Sequence, residues 1–126
     1  MTSGIIGAHW LIYSKDPDAD RAFFRDVLGF PAVDAGGGWL IFALPPSELA
    51  VHPAETTFVQ RHAEHDLLGA VLYLMCDEVG LVVKTLETRG VSCTAVAEAE
   101  WGLYTILQLP SGGKIGLYQP THPRAV

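Results

Sequence analysis

Residues 9–30 read HWLIYSKDPDADRAFFRDVLGF and decide the fold of this chain. Asp16 belongs to the residue types that cap the first turn of a helix, and Pro17 suits the first helical position. The acidic residues that follow complement the positive end of the helix dipole. Gly29 ends the helix, because glycine adopts the left-handed conformation that such an end usually requires. The stretch therefore predicts a helix between Asp16 and Gly29.

The residues before this helix predict a strand. His9, Leu11 and Tyr13 share one face of it, and the residues between them share the other face. Both faces are largely apolar. We therefore expect this strand to be buried on both sides.

A second copy of the pattern follows later in the chain. Residues 70–76, AVLYLMC, predict an apolar strand, Asp77 takes the capping position, and Gly90 closes the helix. Each capping aspartate lies seven residues after the head of its strand and thirteen residues before its glycine. This double agreement in spacing indicates an internal duplication. The second helix also carries an apolar stripe made of Val79, Val82, Val83 and Leu86.

Three further strands are predicted after each helix, and the two halves are joined by a polar segment. Residues 54–68 show no sustained periodicity and are interpreted as a linker, with at most one helical turn. The strands are expected near residues 30–33, 39–44 and 48–52 in the first half, and near residues 91–95, 101–109 and 114–119 in the second.

The predicted fold is α+β. The 126 residues are expected to form a single domain, with module one at about 5–53, the linker at about 54–68 and module two at about 69–120. Neither βαβββ module can cover its own sheet, so the two must pack together. We expect a curved eight-stranded mixed sheet around a cavity, with the helices outside, and such a cavity is the first place to look for a small-molecule site.

Composition excludes several classes of function. Eight basic and fourteen acidic residues give a formal charge of −6 without a basic cluster, so we expect no nucleic-acid partner. The longest apolar run, about residues 67–76, is too short to span a membrane, and residues 1–7 lack the features of a secretion signal. Cys76 and Cys93 lack CxxC spacing and are expected to be reduced thiols, which favours a cytoplasmic location.

Several of these motifs together resemble a known superfamily. They are Gly7-Ala8-His9 at the first strand, AFFRDVLGF at 22–30, PSGG at 110–113 and LYQP at 117–120. With the duplicated βαβββ pattern, the chain resembles the vicinal oxygen chelate superfamily, which includes glyoxalase I, extradiol dioxygenases, methylmalonyl-CoA epimerase and the bleomycin-resistance proteins. The resemblance implies the fold described above and a homodimer whose two chains complete the clefts. It does not choose a reaction, because this scaffold supports many chemistries.

The resemblance also implies where a metal would bind. Metal-dependent members hold a divalent ion with the head of each first strand and with a glutamate, or its equivalent, on each last strand. These positions correspond to His9, Ala70, Leu49 and Gly116. Three of the four side chains carry no ligand atom, whereas a metal usually needs three or more protein ligands. We therefore expect no metal cofactor.

An alternative metal site depends on strand register. A shift of one residue moves Glu48 onto the cavity face, because strand faces alternate. His9 and Glu48 then supply two ligands for a divalent metal ion, and Glu98, Glu100 or a residue of a partner chain completes the set.

The predicted ligand cavity is largely aromatic and apolar. His9 is either a core histidine satisfied by a hydrogen bond or a polar anchor or general base. Large aromatic side chains near the middle strands are either core residues or ligand contacts. The four other histidines are interpreted as solvent-exposed. The predicted cavity residues are His9, Leu11, Trp39, Leu49, Val51, Leu72, Trp101, Tyr104 and Tyr118.

Three functions are consistent with these observations. The first, which we prefer, is a small-molecule binding protein that holds an apolar or aromatic compound without a metal. The second is a lyase, isomerase or dioxygenase that uses a metal on His9 and Glu48. The third is a structural or regulatory subunit whose cavity is filled by its own side chains.

Overall fold

The computed structural model describes residues 4–126 and has an α+β architecture. The expectation that residues 1–7 lack the features of a secretion signal therefore concerns, in part, residues 1–3, which lie outside the described residues. None of the helices in residues 4–126 is long and apolar enough to cross a membrane. The helices are α1 (Pro17–Ala22), which continues into a π-helical turn (Phe23–Val27), and α2 (Val79–Thr88); the strands are β1 (Ala32–Asp34), β2 (Leu40–Phe42), β3 (Val59–His62), β4 (His65–Leu68), β5 (Tyr73–Met75), β6 (Ala97–Ala99), β7 (Gly102–Gln108) and β8 (Lys114–Pro120).

The strands form three separate sheets within the described residues. β1 pairs with β2, β3 pairs with β4, and the remaining strands form a four-stranded sheet in the order β5-β8-β7-β6. In the four-stranded sheet β5 is parallel to β8, and the other pairs are antiparallel. The four-stranded sheet is thus mixed, as predicted, but the described residues do not join the three sheets into one curved eight-stranded sheet.

The first helix begins and ends where its sequence predicts. Asp16 Oδ1 accepts a hydrogen bond from the backbone N–H of Ala19 at 3.4 Å. Gly29 has a φ of +72° after the helical segment, and Gly90 has a φ of +81° after α2. Both glycines therefore adopt the left-handed conformation expected at a helix end.

The hydrophobic core lies between the helices and one face of the four-stranded sheet. Leu107, Ile115 and Leu117 are buried on that face, and the predicted stripe of α2 packs there through buried Val79 and Leu86. The other face carries Tyr73, Gly116, Tyr104 and Tyr118, which neighbour one another through the strand register.

A buried polar contact joins the two modules. Asp20 of α1 is 3% exposed. Its Oδ1 accepts a hydrogen bond from the backbone N–H of Ser111 at 3.0 Å, and its Oδ2 accepts one from Ser111 Oγ at 2.7 Å. The helix of module one is therefore held to the PSGG turn of module two by a carboxylate whose two oxygens are both satisfied.

Two predicted strands of module one are not formed. Residues 9–14 form no strand, and Leu11 and Tyr13 are 50% and 59% exposed, so the prediction of a strand buried on both sides is wrong. Residues 48–52 are likewise unpaired. A strand needs a neighbour for its backbone hydrogen bonds, and the described residues supply none to either segment.

Two smaller predictions also require correction. Residues 54–68 contain no helical turn; instead β3 and β4 form an antiparallel hairpin in which His62 pairs with His65. Asp77 is not the cap of α2: that position belongs to Glu78, whose side chain forms no capping bond. The first N–H of the helix, from Val79, instead donates to Gln119 Oε1 at 3.1 Å, so a tertiary contact replaces the local cap.

Candidate functional site

A cavity of about 440 Å³ lies mainly in module one, and its volume is within the usual range for small-molecule sites. Its walls come from the N-terminal segment, the first helix, and β2 with the prolines that follow it, together with Leu72 of module two. Its main lining side chains are Trp10, Ile12, Phe24, Trp39, Leu40 and Phe42. The cavity is therefore predominantly apolar and aromatic, and the described residues do not form the filled interior of the third hypothesis.

Only part of the predicted cavity set lines this space. His9, Leu11, Trp39 and Leu72 do so. Leu49 and Val51 lie outside it and are 82% and 91% exposed, because residues 48–52 do not form the strand that would turn alternate side chains inward. The structure places Trp101, Tyr104 and Tyr118 together elsewhere, on the four-stranded sheet.

His9 is not the buried head of a paired strand. Its side chain is exposed and lines the cavity. The interpretation as a core histidine is therefore wrong, and its role as a polar anchor or base remains a prediction.

Sequence reasoning missed a charged contact in the cavity wall. The guanidinium carbon of Arg21 lies 5.0 Å from the ring centroid of Trp39, within the range of a cation–π interaction. Both side chains line the cavity. Arg21 follows Pro17 by one helical turn and so lies on the same side of the helix, but no sequence signal links it to Trp39, eighteen residues away.

The four-stranded sheet carries an aromatic cluster on its open face. The ring of Trp101 lies 5.0 Å from that of Tyr104 and 5.4 Å from that of Tyr118 between centroids, and Tyr73 lies 5.5 Å from both Trp101 and Tyr118. These separations are typical of favourable aromatic pairs. Burial raises the pKa of the Tyr73 phenol, so this hydroxyl stays protonated in the neutral range.

The hydroxyl of Tyr118 has a partner within the chain. It lies 2.8 Å from Nε2 of His122, whose Nδ1 lies 2.7 Å from the carbonyl oxygen of Pro123. Because Nδ1 faces an acceptor, it carries the proton in the neutral imidazole, and Tyr118 then donates to Nε2. Burial, and to a lesser extent the negative charge of Glu48, raise the pKa of the Tyr118 phenol.

The positions that resemblance assigns to metal ligands do not fit a metal ion. At Gly116, a Cβ atom would lie 2.1 Å from Cδ1 of Tyr73, so the tyrosine ring occupies the space of any side chain there. The carboxylate of Glu48 accepts a hydrogen bond from the backbone N–H of Ala125. Residues 4–126 contain no group of three or more His, Cys, Asp or Glu side chains able to hold a metal ion, so His9 and Glu48 gain no third ligand from Glu98 or Glu100.

Comparisons with known proteins agree with this architecture. A family model described as the Glyoxalase/Bleomycin resistance protein/Dioxygenase superfamily matches residues 7–115, and the comparison with curated proteins gives no match. Among solved structures, an antibiotic binding protein from Streptomyces sp. CB03234 is 21% identical; the alignment covers 95% of this chain and 100% of that chain, with a TM-score of 0.63.

Two other solved structures are similar to the same extent. Lactoylglutathione lyase from Agrobacterium tumefaciens is 18% identical, with 94% of each chain covered and a TM-score of 0.60. A glyoxalase/bleomycin resistance protein/dioxygenase superfamily member from Sphaerobacter thermophilus DSM 20745 is 20% identical, with 91% of this chain and 98% of that chain covered and a TM-score of 0.57. At these identities the likeness shows the fold alone.

Proposed function

Because the chain belongs to the glyoxalase/bleomycin resistance protein/dioxygenase superfamily, we propose that it binds a small apolar or aromatic compound without a metal ion. The observation that carries the proposal is the cavity of about 440 Å³ beside Trp39, whose walls are mainly apolar and aromatic. His9, Leu11 and Leu72 contribute to the same walls. The free thiols of Cys76 and Cys93 support action in the cytoplasm.

The similar structures allow more than one function, so the residues of this chain carry the choice. One relative is an antibiotic binding protein and another is a lyase. A lyase function has less support here, because the residues at the expected metal-ligand positions do not suit a metal. At Gly116, the ring of Tyr73 occupies the space that a ligating side chain would need. An apolar cavity agrees better with binding of a compound without a metal than with metal-dependent catalysis, which needs a cluster of ligating side chains.

A bound aromatic compound is expected to stabilise the protein, and Trp39→Ala is expected to remove about half of that stabilisation or more. At a hundredfold excess over Kd, binding adds about 2.7 kcal/mol to the free energy of unfolding, which raises Tm by roughly 10 °C for a chain of this size. Loss of the Trp39 indole should weaken binding about tenfold or more. Thermal melts across a panel of apolar and aromatic natural products, followed by titration of each hit, measure both effects.

The matched control for this measurement is Trp101→Ala, which removes an indole from the four-stranded sheet. A ligand confined to the cavity should bind this variant within about twofold of the wild type. Stabilisation that Trp39→Ala leaves undiminished, or the absence of stabilisation by every compound, contradicts the proposal. Stoichiometric metal in protein purified without chelators, lost in His9→Ala, favours the metal-dependent alternative instead.

The proposal includes a homodimer. Apolar side chains of module one and of the segment after it are widely exposed in the single chain: Ile6 is fully exposed, Leu49 and Val51 are 82% and 91% exposed, and Phe58, just before β3, is 76% exposed. Residues 9–14 and 48–52 form no strand, and the described residues give them no backbone–backbone hydrogen bond. A second copy supplies both an apolar surface and strand neighbours to these segments.

We expect the protein in solution to have twice the chain mass of 13.6 kDa. The Val51→Lys variant is expected to be a monomer. The substitution places a charge in an apolar interface, which is costly without a partner. Size-exclusion chromatography with light scattering over a range of concentrations measures the mass, and Thr88→Lys on the exposed end of α2 is the control. A wild-type monomer at high concentration contradicts the homodimer.

A further inference from the structure

Arg21 is the cationic side chain of the cavity wall that lies against Trp39. It is 23% exposed, in contrast to the 54% of Arg25 on the same helical segment. Its guanidinium lies against the indole of Trp39, and both side chains belong to the cavity wall. This contact places the N–H groups of Arg21 beside the indole in the cavity wall.

Most donors of Arg21 are not used by the protein. A guanidinium has five N–H donors. Among residues 4–126, Arg21 forms one side-chain hydrogen bond, from Nη1 to Oδ1 of Asp18 at 3.1 Å, and the Asp18 side chain is 91% exposed. An exposed ion pair of this kind is weak, so Arg21 retains donors for a ligand.

The one carboxylate in the cavity wall does not compete for those donors. Both oxygens of Asp20 are engaged by Ser111. The remaining wall is mostly apolar, apart from His9, Ser14 and Ser47. A ligand oxygen next to Arg21 therefore meets donors that Asp20 does not occupy, and a hydrogen bond from the charged guanidinium is stronger than one between neutral groups.

We propose that Arg21 and Trp39 together select a planar aromatic compound that carries a hydrogen-bond acceptor oxygen on its ring system. The ring stacks in the apolar part of the cavity beside the indole, and the oxygen accepts from the guanidinium. The oxygen belongs either to a neutral carbonyl or to a carboxylate, since both present the same acceptor. This inference rests on the proposed function and makes Arg21 its specificity-determining residue.

Three probes with one ring system test the inference: naphthalene, 2-acetylnaphthalene and 2-naphthoate. Dissociation constants are measured by titration followed by protein NMR, for the wild type and for Arg21→Gln. The variant should weaken binding of at least one oxygen-bearing probe about tenfold and leave naphthalene within about twofold. The ketone and the carboxylate distinguish a neutral from an anionic acceptor.

Arg25→Gln is the matched control, because Arg25 pairs with Asp26 outside the cavity at 2.7 and 2.8 Å. It should change none of the three constants. An equal loss for all three probes in Arg21→Gln overturns the inference, because Arg21 then only shapes the cavity. If the wild type binds naphthalene as tightly as both oxygen-bearing probes, the inference is also overturned, whereas the proposed function stands. Failure of all three probes to bind the wild type overturns the proposed function and the inference together.

Discussion

Asp20→Ala is expected to lower the free energy of unfolding by about 3 kcal/mol, because it leaves two buried donors without an acceptor. The carboxylate is 3% exposed and accepts from the backbone N–H and the hydroxyl of Ser111, itself 8% exposed. A loss of this size lowers Tm by roughly 10 °C in a chain of this length.

Two further variants make the measurement specific. Asp18→Ala removes another aspartate of the same helix, whose side chain is 91% exposed, and should change stability by no more than about 0.5 kcal/mol. Ser111→Ala removes the 2.7 Å bond but keeps the backbone N–H on Asp20, so about half of the full loss is expected. Urea unfolding curves give all three values. Equal curves for Asp20→Ala and Asp18→Ala contradict the contact between the modules.

Local signals explain what could be predicted. The cap at Asp16 and the left-handed glycines at Gly29 and Gly90 depend only on residues within one or two turns. β7 and β8 were predicted for a similar reason, since two apolar β-rich runs flank a PSGG turn. The fold class and the superfamily followed from these elements and their repetition.

The hairpin of β3 and β4 was missed because its turn lacks the usual signal. Ala63 and Glu64 occupy the turn with φ of +50° and +65°. Two-residue hairpin turns of this kind normally contain Gly, Asn or Asp, which tolerate a positive φ. Without such residues, a polar segment without periodicity is interpreted as a linker.

Residues of the cavity could be predicted only in part, because a strand pattern does not say which chain supplies the neighbouring strand. Alternation indicates that Leu49 and Val51 share a face, yet the single chain leaves both exposed. The contact between Arg21 and Trp39 depends on where a helix and a strand meet in space. Neither composition nor spacing carries that information.

Gly116→Ala is expected to destabilise the protein by about 3 kcal/mol, although alanine is normally the better residue in a strand. The new Cβ would lie 2.1 to 2.7 Å from three ring atoms of Tyr73, so the ring must leave its position. Overpacking of this kind costs about 1–3 kcal/mol. Displacement also breaks the edge-on contacts of Tyr73 with Trp101 and Tyr118, each worth about 0.5–1.5 kcal/mol.

The double variant Tyr73→Ala/Gly116→Ala identifies the cause of this loss. Once the ring is absent, the three atoms nearest to the new Cβ are gone. The double variant should therefore be more stable, by about 1–3 kcal/mol, than the sum of the single effects predicts. Gly80→Ala in α2 is the control, because nothing lies within 4 Å of its Cβ position, and it should be neutral or slightly stabilising. Additive effects at 73 and 116 contradict a ring seated on Gly116. A glutamate introduced at position 116 would meet the same ring if Tyr73 were kept. Residues 73 and 116 must therefore change together before position 116 can carry a metal ligand.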